Sequence, residues 1–69
     1  MSESILQYFA YGRLPPHLAE AARPFAELAH LLVATAPRNP ERTVALRKLL
    51  EAKDAAVRAV LFVPLEGDR

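Results

Sequence analysis

Tyr8, Phe9 and Tyr11 fall within four positions, and the chain has only two other aromatics, both phenylalanines. Arg13, His17 and Arg23 follow them closely. Rings of this kind can stack on nucleobases, at roughly 1–3 kcal/mol per base. A guanidinium presents a planar fork of donors that matches a phosphate. Tyr11, Arg23, Tyr8, Phe9, Arg13 and His17 are therefore the candidate ligand-binding residues. Each has a plainer alternative. The rings can instead pack over an open side of the fold or into a neighbouring subunit, and Arg13 and Arg23 can be solvated surface charges.

Catalysis is not expected. The chain has no cysteine nucleophile, and it lacks a Gly-rich phosphate loop. Ser2 and Ser4 lie on a terminal arm, and Glu20, Glu27 and Glu51 fall where solvated helix faces are expected. His17 and His30 are too far apart in sequence for the i,i+4 pair of a helical metal site. No catalytic residue, metal ligand or cofactor follows from these residues.

Three elements must position the candidates. Residues 1–14 read as an arm, in which Ile5 and Leu6 begin either a helical turn or an extended piece and Gly12 ends it. Pro15-Pro16 opens a helix, because proline suits the first turn and not the interior. That helix is predicted over about residues 16–36, with Leu18, Ala21, Ala22, Phe25, Leu28, Ala29, Leu32 and Ala36 as its apolar stripe. Pro24 removes the bond to the Glu20 carbonyl, at about 3 kcal/mol in a regular interior. A kink or break between Ala22 and Phe25 is therefore expected.

Asn39-Pro40-Glu41 is a second start, with Asn39 as N-cap and Glu41 facing the positive helix terminus. The second helix is predicted over residues 40–63, ending before Pro64, with 64–69 as a tail. Leu46, Leu49, Leu50, Val57, Val60 and Leu61 make its inward stripe, and Lys53 lies on that stripe with its amine reaching to an edge. Arg47–Glu51 and Asp54–Arg58 are possible i,i+4 ion pairs. Ala45, Ala52, Ala56 and Ala59 form a small-residue stripe suited to packing on a second copy. The short Pro37-Arg38-Asn39 link requires an antiparallel hairpin. The fold class is all-α: an antiparallel helical hairpin with an extended aromatic arm and a first helix kinked near Pro24.

A 69-residue chain is a single domain. Below about 70–80 residues a single core rarely supplies more than about 3–5 kcal/mol. Disulfides are excluded without cysteine, so a homo-oligomer is expected, and an apolar content of 52% agrees with it. A net charge of +1 argues against DNA, RNA or a polybasic membrane contact. No apolar run reaches the length of a membrane span, and the first residues do not read as a secretory signal. A soluble intracellular protein is expected.

The order of pieces has a parallel. Phe9-Ala10-Tyr11 leads to Phe25-Ala26-Glu27-Leu28-Ala29-His30, a Pro-marked turn, then Pro40-Glu41-Arg42-Thr43-Val44-Ala45-Leu46-Arg47-Lys48-Leu49-Leu50-Glu51-Ala52. Over about residues 8–60 this resembles the hairpin-domain family of phage sponges that counter CBASS and Thoeris immunity. The resemblance implies sequestration of cyclic di- or trinucleotide messengers in the host bacterial cytoplasm, without degrading them. It implies a compact homo-oligomer, typically a hexamer, with ligands bound between subunits. Tyr11 matches the family's base-stacking tyrosine, and Arg23 its phosphate-contacting position. Pro24 departs from the pattern. So does Phe62, which stands where some relatives carry a basic residue of a second, trinucleotide site, with Arg58 one turn earlier. The competing reading is a small helical protein–protein interaction module with no nucleotide ligand.

Overall fold

The computed structural model describes residues 4–64. They form a 3-10 helix, Ser4–Phe9, followed by two long helices, α1 (Pro16–Thr35) and α2 (Pro40–Leu61). No strand occurs among the described residues. The helices pack on each other as a hairpin, and the 3-10 helix lies across both.

Helix boundaries follow local chemistry. Pro15 sits at φ −55° and ψ 152°, and Pro16 begins α1. The Pro15 carbonyl accepts from Leu18 N–H at 3.0 Å and Ala19 N–H at 2.9 Å. Proline's preset φ replaces the missing side-chain cap. At the other end Ala36 is extended and its N–H donates to the Leu32 carbonyl at 2.9 Å. Asn39 caps α2 as its residue type predicts, with Oδ1 accepting from Arg42 N–H at 2.9 Å. α2 stops at Leu61, two residues short of the expected end. Pro64 disfavours helical backbone at Val63, and Phe62 is already extended at ψ 130°.

α1 runs unbroken through Pro24, so the expected break does not occur. Pro24 and Glu20 both lie on the exposed side. Ala22 and Ala26, buried on either side of the proline, hold both halves on one core face.

The arm is coiled over Ser4–Phe9, the helical-turn alternative at Ile5 and Leu6, and is not extended there. With three residues per turn, side chains three apart eclipse one another. Leu6 and Phe9 thus share one edge, which turns inward. Phe9 is 0% exposed and packs with Ala26 and Ala29 of α1 and Leu46 of α2. The two alanines leave the room that the ring fills. Burying a side chain of this size contributes about 1.5–3 kcal/mol.

Two stripe assignments need correction. The buried line of α1 is Ala22, Ala26 and Ala29. Leu28 lies about 100° round the helix from Ala29, and it is exposed together with Leu31. On α2, Leu46 is buried and Leu49 and Leu50 pack against the core, but Val60 and Leu61 are exposed. Leu46 packs against Ala29 in an antiparallel pair. Val60 is as far along α2 from Leu46 as Pro15 is back from Ala29, so it lies beyond the start of α1. The ion pairs also differ. Asp54 accepts from Lys53 Nζ at 2.9 Å, and the pairs on α1 are Glu20–Arg23 and Arg23–Glu27. The Lys53 side chain is largely covered, its stem lying on the apolar stripe as expected.

The hairpin turn holds a contact that the sequence reading missed. Arg42 is buried, and its Nη1 donates to the Val33 carbonyl at 3.2 Å and the Ala36 carbonyl at 3.1 Å. The last turn of α1 leaves carbonyls with no helical partner. A cation from the first turn of α2 satisfies two of them and complements the negative end of the helix dipole.

Candidate ligand-binding site

The three-residue repeat of the 3-10 helix divides the aromatic cluster. Phe9 points into the core with Leu6, and its ring has no face left for a ligand. Tyr8 is one residue earlier, a third of a turn away, and is 59% exposed. Gln7 is exposed on the remaining edge, and its carbonyl accepts from Ala10 N–H at 3.3 Å. Tyr11, beyond the helix, is half-buried and packs its ring against the core. Two tyrosines thus remain within reach of a ligand, Tyr8 freely and Tyr11 by one part of its surface.

Tyr11 opens a turn, with its carbonyl accepting from Leu14 N–H at 3.1 Å. Gln7, Ala10, Gly12, Arg13 and Leu14 line a half-open depression of about 680 Å³. This size lies within the roughly 300–1,000 Å³ usual for small-molecule sites. Gly12 is not in the left-handed region, and a methyl group built on it would meet nothing within 4 Å. The glycine therefore leaves an open floor and is not required by the backbone. Arg13 is exposed at this depression and forms no ion pair with any described residue.

Arg23 is held differently. Its Nη2 donates to Glu20 Oε1 at 2.9 Å, and its Nη1 lies 4.0 Å from Glu27 Oε2. The Glu20 hydrogen bond chiefly, then the Glu20 and Glu27 charges, raise the guanidinium above its ordinary pKa. The Tyr11 charge adds the smallest effect in the same direction. The two carboxylates give the Arg23 surroundings a local charge of −1. His17 is exposed on the first turn of α1.

Among the described residues no group of His, Cys, Asp or Glu gathers that could hold a metal ion. Among them, too, no helix is long and apolar enough to cross a membrane. No protein-family model, curated protein or solved structure matches the chain.

Two participants were not singled out from sequence. Gln7 enters the depression because the 3-10 repeat puts it on the same edge as Ala10. The carboxylates around Arg23 had a readable signal, since Glu20 and Glu27 stand at i−3 and i+4 from it.

Proposed function

We propose that the protein traps cyclic di- or trinucleotides without changing them chemically, and so withholds an immune messenger from its effector in an infected bacterium. The observation that carries this reading is the half-open depression lined by Gln7, Ala10, Gly12, Arg13 and Leu14, on the same segment as the exposed Tyr8 and the half-buried Tyr11. Flat rings next to guanidinium groups suit a ligand made of bases and phosphodiesters. The resemblance of residues 8–60 to the sponge family supports the same ligand class.

The trap acts as a homo-oligomer, on the family pattern a hexamer with ligand between subunits. The Cα framework is only 16 Å across its thinnest direction, a single layer of two helices. A stable domain generally needs a second layer to cover its apolar face. Leu28, Leu31 and Val44 are exposed on the helices, and Phe62 and Val63 at the α2 overhang are 66% and 81% exposed. A second copy would cover such surface. The overhang equally favours the second reading, an interaction module that seats an unrelated helix there and binds no nucleotide.

Calorimetric titration with cyclic di- and trinucleotides separates the two readings. At least one should bind to the folded, oligomeric protein. An absence of heat with all of them leaves the interaction module. Tyr11→Ala sharpens the distinction. Loss of one stacked base should weaken binding by roughly 5- to 150-fold, corresponding to about 1–3 kcal/mol, with the oligomer retained by light scattering. An oligomer that dissociates while ligand affinity is unchanged would assign Tyr11 to packing.

A further inference from the structure

We infer that the ligand phosphate is received by Arg13 at the arm depression, and that Arg23 is a structural cation committed to its own helix. This rests on the nucleotide-trapping reading and names the charged group that carries it out. The two arginines differ in what already holds them. Arg23 donates to Glu20 at 2.9 Å and lies 4.0 Å from Glu27. A phosphate arriving there meets two carboxylates, and it must break an ion pair before it gains one. Arg13 has no such partner among the described residues. Its fork is free to form two parallel charge-assisted bonds to a phosphodiester.

The surroundings of Arg13 suit the rest of the ligand. Gly12 leaves space above the backbone next to the guanidinium. Ala10 and Leu14 offer apolar walls, and Gln7 supplies an amide with both donor and acceptor for a base edge. Tyr8 projects from the same 3-10 helix with most of its ring exposed. Ring, amide and guanidinium therefore come from one continuous stretch of about two turns. The site needs no rearrangement of α1.

The test compares Arg13→Gln, Arg13→Lys and Arg23→Gln with the wild-type oligomer, titrating each with the cyclic nucleotide that binds best. Both arginines are exposed, and circular dichroism checks that every variant keeps its helices. Arg13→Gln should weaken binding at least tenfold. Arg13→Lys should recover part of that loss, because it restores the charge but not the fork. Arg23→Gln should change affinity less than twofold. A tenfold loss in Arg23→Gln, or wild-type affinity in Arg13→Gln, overturns the assignment while leaving the trapping reading in place. Failure of the wild-type protein to bind any cyclic nucleotide overturns the trapping reading, and this assignment falls with it.

Discussion

Phe9→Ala is expected to unfold the isolated hairpin. Phe9 is one of only two large side chains fully buried among the described residues, the other being Leu46. Large-to-small changes at such phenylalanines cost about 3–5 kcal/mol, from lost transfer energy and the cavity left behind. A single core in a chain of this size supplies about the same amount. Ala26 and Ala29 form the walls of the site. They carry no side chain that can move in to fill the space. Thermal melting by circular dichroism should show loss of the cooperative transition, or a midpoint lowered by tens of degrees. Phe9→Leu should retain most of the transition. A wild-type melt for Phe9→Ala would mean that the 3-10 helix does not contribute to the core.

Arg42→Ala is expected to have the second-largest effect, a loss of about 2–4 kcal/mol. The guanidinium donates to the carbonyls of Val33 and Ala36. Hydrogen bonds to a charged group contribute about 1.5–3 kcal/mol net of the exchange with water. Removing the side chain also removes a cation from the C-terminal end of the α1 dipole. The partial burial of these carbonyls limits how fully water can replace the donor. Arg42→Lys should fall between wild type and Arg42→Ala, since an ammonium keeps the charge with less reach and no planar fork. Arg47→Ala is the control. Arg47 is exposed on the same helix, and surface changes of that kind usually stay within about 0.5 kcal/mol. Urea unfolding of the set measures all three. Equal midpoints for Arg42→Ala and Arg47→Ala would remove the clamp from the account.

The helices were legible because their punctuation is local. Pro16, Asn39 and Pro40 act through fixed φ angles and a side-chain cap within three residues of themselves, and α1 and α2 begin where those residues require. What escaped depends on contacts distant in sequence or on the periodicity of the arm. Arg42 reads as an ordinary first-turn residue until the end of α1 is placed beside it. Leu28 satisfies a three- and four-residue spacing, yet the small residues Ala26 and Ala29 define the face that receives Phe9. The arm left a helical turn and an extended piece both open, because Ile5 and Leu6 fit either, and only the 3-10 helix sorts its side chains in threes. That sorting sends Phe9 inward and leaves Tyr8 out. Pro24 is a strong breaker in isolation, but the buried Ala22 and Ala26 on either side of it pack on one face, and the helix stays continuous. The depression around Arg13 is a product of the coiled arm and had no counterpart in the linear spacing.

The proposed trap holds cyclic nucleotides and returns them intact. The direct measurement incubates the protein with the cyclic di- and trinucleotide panel, retains the protein on a size filter, denatures it, and analyses the released ligand by chromatography. At least one cyclic nucleotide should be retained in proportion to protein and released unchanged. Passage of every ligand through the filter, or release as linear or hydrolysed nucleotide, would contradict it.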